Sequence, residues 1–235
     1  VEGVEPGDAV SVEIVAVRPG DWGWCAAIPD FGLLGDQVTA PILRRIPLRD
    51  GRAHLSDRLA VPIKPMIGCL GLAPATGESS TLRPPFPWGG NYDLLQVSPG
   101  NTVLFPAQVS GGLFSLGDLH AAMGAAEVTY VSIECPGAAT VRLGVRKGLR
   151  LRTPRIEAPD RVYTIGLDGG GNLATGGDYQ LARKQATDLM LAYLTAERGL
   201  SFEDAYVLMS ACADLEFGGP AGAVALASVP LSALA

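Results

Sequence analysis

In the first two-thirds of this 235-residue chain, glycine and proline recur so densely that only short uninterrupted runs remain between them. Proline cannot donate a backbone hydrogen bond, and glycine loses the most conformational freedom in a regular element. Such a stretch therefore resists long helices and favours short strands joined by turns. β-Branched or apolar runs fall between the breakers at 9–17, 44–48, 59–63, 102–106, 127–134, 139–145 and 162–167, and each predicts a strand. Val10, Val12 and Ile14 alternate with Ser11, Glu13 and Val15, and Thr140 and Arg142 alternate with Val141, Leu143 and Val145. A period of two marks a strand with one buried face.

The pattern changes after Asp178. Leu181, Ala182, Ala186, Leu189, Met190, Tyr193 and Leu194 recur at intervals of three and four over 179–198, without glycine or proline. That predicts an amphipathic helix capped by Asp178 and stopped at Gly199. Ser201, with Glu203 and Asp204 behind it, opens a second helix to about residue 214. Both helices are expected to lie on the sheets as a lid, and 220–235 to form a last strand and tail. No internal repeat or long linker divides the chain, so 1–235 reads as one domain, α+β in class and mostly β.

Hydrophobic residues make up 48% of the chain and charged residues 18%, a composition that builds a dense core rather than a disordered coil. The net charge is −6, with no cluster of Lys and Arg along an aromatic-bearing face, which argues against a nucleic-acid partner. No apolar run reaches the ~18 to 20 residues of a membrane-spanning helix, and the start at Val1 lacks the basic and apolar segments of a secretory signal. Cys25, Cys69, Cys135 and Cys212 lie far apart. Reduced thiols and a cytoplasmic location follow as expectations.

Chemistry concentrates in the stretch from Gly111 to Glu127, where Asp118 and His120, one of two histidines, stand between glycines with Glu127 close behind. Histidine is the side chain best suited to proton transfer or metal ligation near neutral pH. Spacing alone leaves a glycine-rich turn with a solvated Asp and His equally open. A second polar block runs from Pro84 through Trp88, Gly89 and Gly90 to Asn91, Tyr92 and Asp93. Its prolines fix the approach, and Asn91 and Asp93 would share a face if extended. Gly169-Gly170-Gly171-Asn172-Leu173-Ala174 matches a loose dinucleotide fingerprint, but no helix opens directly from it, and a connector is the better reading. Cys69 and Cys135 sit among apolar residues and turn formers and read as buried fillers, and His54 reads as a surface histidine.

Together these blocks resemble the acetamidase/formamidase family of amide hydrolases. The resemblance is carried by Val1-Glu2-Gly3-Val4-Glu5-Pro6-Gly7-Asp8, by Pro65-Met66-Ile67-Gly68-Cys69-Leu70-Gly71-Leu72-Ala73-Pro74, and by Gly89-Gly90-Asn91-Tyr92-Asp93. It continues through Gly112 to Gly124 around Gly117-Asp118-Leu119-His120, then Glu127, Glu134 and the segment Ala205-Tyr206-Val207-Leu208-Met209-Ser210. It implies a β-sandwich or barrel core with two helices in the C-terminal half, and cleavage of a short linear or small cyclic amide to a carboxylic acid and ammonia. It also implies a homodimer or larger homo-oligomer. By position, Asp118, His120, Glu127 and Glu134 become the catalytic candidates. Asp118, His120 and Glu134 would hold a divalent metal, with zinc first and calcium the alternative.

Asn91 and Asp93 would complete the pocket, and Trp88 and Phe114 would wall it. The family pattern places a histidine where this chain has Trp88, an exchange that would favour a bulkier or less polar amide than formamide. It places an Asp where this chain has Ala125, and a further segment ahead of the Val1 block. That last departure implies truncation, processing or a partner-supplied piece.

Hydrolysing an unactivated amide requires a strong nucleophile, a stabilised oxyanion and a proton for the departing amine. A divalent metal on Asp118 and His120, with Glu127 or Glu134, would lower the pKa of a bound water and polarise the carbonyl while a remaining carboxylate moves protons. A metal-free variant uses His120 as general base. A second class of function is a non-catalytic relative that binds a small ligand or serves within a larger complex.

Overall fold

The computed structural model describes residues 1–80, 85–168, 177–220 and 222–234. Strands β1 (Ala9–Pro19), β2 (Trp22–Ala27), β3 (Ile42–Arg49), β4 (Arg52–His54) and β5 (Ala60–Pro62) come first. Then follow β6 (Met66–Gly71), β7 (Gly89–Asn91), β8 (Thr102–Pro106), β9 (Ser115–Ala122) and β10 (Ile133–Glu134). After β11 (Gly137–Arg146), β12 (Arg155–Glu157) and β13 (Arg161–Asp168), helices α1 (Tyr179–Ala192) and α2 (Phe202–Cys212) precede β14 (Asp214–Phe217) and β15 (Ala223–Pro230).

The strands form two antiparallel sheets, ordered β11-β1-β8-β12-β13-β15-β14 and β5-β4-β3-β2-β10-β9-β6-β7. Neither closes on itself among the described residues, so the barrel alternative falls. The main core brings both sheets together: Val10, Val12 and Ile14 of β1, Ile67 and Leu70 of β6, and Val103 and Phe105 of β8 are all buried in one cluster. The period-two pattern of β1 selects that inward face. Burial of each such side chain contributes roughly 1.5–3 kcal/mol.

β15 is buried on both faces, and β13 over much of its length, because the helices cover the outer one. Ala186, Met190 and Leu194 pack with Ala205 and Met209 against Val162, Ala227 and Val229. Asp178 caps α1 by accepting from the N–H groups of Gln180 at 2.7 Å and Leu181 at 3.3 Å. Past Ala192 the helix widens into one π-helical turn, Tyr193–Glu197, before Gly199 turns away with φ +71°. Gly166 of β13 allows this close packing, since a β-carbon there would collide with the carbonyl oxygen of Ala182 and come within 2.6 Å of the Ala186 nitrogen.

Some expectations need correction. The run 127–134 is not a strand: Glu127 and Tyr130 have φ of +36° and +56°. Their N–H groups close successive turns onto the carbonyls of Gly124 and Glu127. Only Ile133–Glu134 joins a sheet. The segment instead braces the loop between β2 and β3, Val128 O accepting from Leu33 N–H at 2.8 Å. His54 is half-buried in β4, with a buried Nε2 that has no partner, rather than a surface residue. Among the described residues no disulfide forms. The 169–174 glycine motif and Pro84 lie outside the described residues.

Asp8 ties the first turn to the end of β11. Its carboxylate accepts from Lys147 Nζ at 2.8 Å, Gly148 N–H at 2.9 Å and Glu5 N–H at 2.9 Å. These bonds, that of Lys147 foremost, hold its pKa down at about 2.

Two outcomes are expected. Gly166→Ala should lower stability by roughly 1–3 kcal/mol in urea unfolding, because backbone rather than a flexible side chain must move. Asp8→Asn should be less stable than the native chain at neutral pH. A depressed folded-state pKa stabilises above the unfolded value of 3.8 and ceases to do so as pH falls through about 2. The difference in unfolding midpoint between the two proteins should therefore vanish across that interval.

Candidate active site

β9 lies between β6 and β10, and the pairings Met66 with His120 and Glu134 with His120 set the imidazole in the middle of the eight-stranded sheet. The β10 register slips between Ile133 and Glu134, the kind of irregularity that re-aims a side chain. Asp93 follows β7, where Tyr92 and Asp93 both donate their N–H to Gly68 O, at 3.0 and 3.2 Å. Asp93, Asp118 and Glu127 have φ of +44°, +64° and +36°, a left-handed backbone uncommon for such residues. Three such residues converge on one spot, a pattern that clusters at functional sites.

His120 is 1% exposed. Its Nε2 lies 3.3 Å from Asp118 Oδ1, 3.3 Å from Glu134 Oε2 and 3.8 Å from Asp93 Oδ1. Glu127 completes the group with His120 and Glu134, their donor atoms all within 4.8 Å of one another, as are those of Asp93, Asp118 and His120. Glu134 Oε1 is fixed by the N–H and hydroxyl of Ser132, at 2.9 and 3.1 Å. Asn91 turns its amide NH2 to Asp93, donating to Oδ1 at 3.2 Å and Oδ2 at 2.9 Å. Asp118 and Glu134 are the members that reach solvent, with side chains 31% and 16% exposed.

Electrostatics here are a contest between burial and neighbours. Burial opposes a charged His120, but hydrogen bonds to Asp118 and Glu134 outweigh it and push the imidazole pKa up to about 10. Burial raises Asp93 to about 7, His120 partly offsetting it, and raises Glu127 to about 8 with the help of the Asp93 charge. Asp118, despite its own burial, is held below the usual range by the hydrogen bond with His120. Two buried atoms, His120 Nδ1 and Glu127 Oε2, have no hydrogen-bond partner.

Four carboxylates thus face one imidazole, and among the described residues no lysine or arginine lies within ion-pair distance of them. Buried charge of one sign without compensation is costly, so the group is short of positive charge. An imidazole nitrogen with carboxylate oxygens is a donor set that suits zinc and harder divalent cations. The orphaned Glu127 oxygen and His120 nitrogen fit the same requirement.

Asp93, Asp118, His120, Glu127 and Glu134 are brought together, with Asn91 beside them. Trp88 stacks on Phe86 at 4.9 Å and lines a different cavity with Leu72, Pro74 and Leu113. Phe114 packs against the main core. Two residues of the site were not anticipated. Cys69 donates its thiol to Asp118 Oδ2 at 3.2 Å and lies 3.1 Å from the Asn91 amide; burial and the neighbouring Asp118 charge keep it protonated. At Gly68, a β-carbon would collide with Asp118 Oδ2 and come within 2.5 Å of Asp93 Oδ1 and 3.0 Å of His120 Cε1. The missing side chain is the floor on which the cluster rests. A glycine inside a run otherwise suited to a buried strand was the available signal.

The model of the acetamidase/formamidase family matches residues 76–226. A formamidase of Methylophilus methylotrophus is 36% identical over 74 residues, which cover 31% of this chain and 18% of that protein. An acetamidase of Mycolicibacterium smegmatis is 25% identical over 203 residues, or 76% of this chain and 50% of that protein. The chain spans half or less of the length of these curated relatives. The crystal structure of an acetamidase from Bacillus halodurans superposes with a TM-score of 0.89 at 32% identity, covering 99% of this chain and 76% of that one.

Gly68→Ala should keep the fold, as read by circular dichroism, while weakening any calorimetrically measured divalent-cation binding by roughly 10–100-fold, since the new methyl displaces two of the carboxylates.

Proposed function

From the premise that this chain belongs to the acetamidase/formamidase family, we propose that it hydrolyses the C–N bond of a small amide to give the carboxylic acid and ammonia. The observation that carries the reading is the buried His120 enclosed by Asp93, Asp118, Glu127 and Glu134 over the Gly68 floor. In this reading Asp118, His120 and Glu134 would hold a divalent cation, zinc or alternatively calcium, which would supply Lewis acidity for water activation and carbonyl polarisation. Asp118 and Glu134, the solvent-reaching members, mark the side on which water enters.

The protein's own groups handle position and protons. Glu127, raised to about 8, carries a proton at neutral pH on a buried carboxyl group and delivers it to the departing nitrogen. Asp93, anchored by Asn91, lies with its Oδ1 3.8 Å from His120 Nε2 and fixes the ring. Cys69 donates to Asp118 Oδ2, leaving Oδ1 for the His120 side of the site.

Residues 1–235 act here as one domain, in the cytoplasm and as a homodimer or higher homo-oligomer. Phe202, Tyr206 and Val207 of α2, 57 to 69% exposed, supply an apolar surface for such self-association. No helix among the described residues is long and apolar enough to cross a membrane.

Ammonia release from acetamide by the folded protein tests the reading. Asp118→Ala and His120→Ala should each abolish turnover, and Glu127→Gln should reduce it roughly 10²–10⁴-fold. Chelation should remove activity and added Zn²⁺ restore it. Absence of ammonia from every amide tried, or undiminished turnover in the first two variants, would overturn the assignment.

A further inference from the structure

Beside the cluster lies a cavity of about 530 Å³, within the ~300–1,000 Å³ typical of small-molecule pockets and far larger than a one- or two-carbon amide fills. Its lining is mainly apolar: Val61 of β5, Met123, Val128 and Val131 of the loop between β9 and β10, and Ile133 of β10. Apart from Glu127, its one charged lining residue is Lys64, which is exposed.

Three residues join this cavity to the site. Glu127 lines it and also belongs to the group with His120 and Glu134. Ser132 lines it and holds Glu134 through its N–H and hydroxyl. Ile133 lines it opposite Ala122, the pair next along the sheet from Glu134 and His120. Glu127 is therefore a wall common to cavity and cluster, and its Oε2 is buried without a partner.

We propose that this cavity receives the acyl chain of the substrate, so that the protein prefers primary amides with an apolar acyl group of about four to six carbons over formamide and acetamide. The inference rests on the amide-hydrolase reading and narrows its substrate class. An amide whose hydrocarbon tail fills the cavity presents its CO–NH₂ group at Glu127, the residue that cavity and cluster share. Each methylene transferred from water into such an apolar space favours the bound state and the transition state alike by about fourfold.

The experiment is a homologous series, acetamide, butyramide and hexanamide, with kcat/KM read from ammonia release. A rise of about fourfold per added methylene is expected. In Val128→Trp, and independently in Val61→Phe, the ratio of kcat/KM for hexanamide to that for acetamide should fall at least tenfold. Turnover of acetamide with a flat or falling series overturns the acyl-cavity inference and leaves the amidase reading intact. So does a rising series whose ratio neither variant changes. Absence of ammonia from the whole series instead removes the amidase reading, and the inference with it.

Discussion

Gathering Asp93, Asp118, Glu127 and Glu134 around a single buried imidazole is costly, because Asp93 and Glu127 lose their water and the carboxylates face one another. The fold answers in two ways. It supplies hydrogen bonds to individual carboxylates, from Ser132 to Glu134, from Asn91 to Asp93 and from Cys69 to Asp118. It also lets protons remain where solvation is poorest, raising Asp93 and Glu127 toward and beyond neutrality. Neither response gives His120 Nδ1 or Glu127 Oε2 a partner, and that residual deficit leaves a group that could hold a cation.

Such a cluster persists only if the backbone beneath it cannot relax. Part of the site is flanked by residues locked into the main core. Gly68 and Cys69 stand between Ile67 and Leu70, each 0% exposed, and Asp93 stands between Tyr92 and Leu94, each 1% exposed. Core packing therefore fixes the position that left-handed backbone at Asp93 would otherwise make unfavourable. The seven-stranded sheet supports this indirectly: β1 and β8 contribute the opposing side of the same core, and α1 and α2 seal their neighbours β13 and β15.

What could be read from the sequence was what periodicity and local chemistry encode. Alternation along β1 and β11, the capped helix from Asp178 and the Ser201 cap of α2 are local signals, and the structure has them. β6 and β7 escaped notice because a strand buried on both faces has no alternation and a three-residue strand has no period at all. The contribution of Cys69 to the site could not be read for a different reason. Cys69 looked like filler because its sequence neighbours are apolar, whereas its partners Asn91 and Asp118 arrive from other strands. The Asp118 and His120 pair stood out by composition, yet the strand pairing that makes them face Glu134 and Asp93 is a property of topology.

The run 127–134 shows how a local preference and a site can conflict. Val128, Thr129, Tyr130 and Val131 favour extended backbone, and a strand there would have continued the ladder beyond β10. Instead the turns at Glu127 and Tyr130 lift the segment off the sheet, and the displaced Val128 and Val131 form the wall of a cavity. The same turns carry Glu127 inward to His120. Extension would have filled the space and pointed alternate side chains to opposite faces, so the cavity and the fourth carboxylate depend on one departure from β geometry. Propensity is overridden here because two turns satisfy the backbone with hydrogen bonds of 2.9 and 2.7 Å, although Val128 is left 43% exposed.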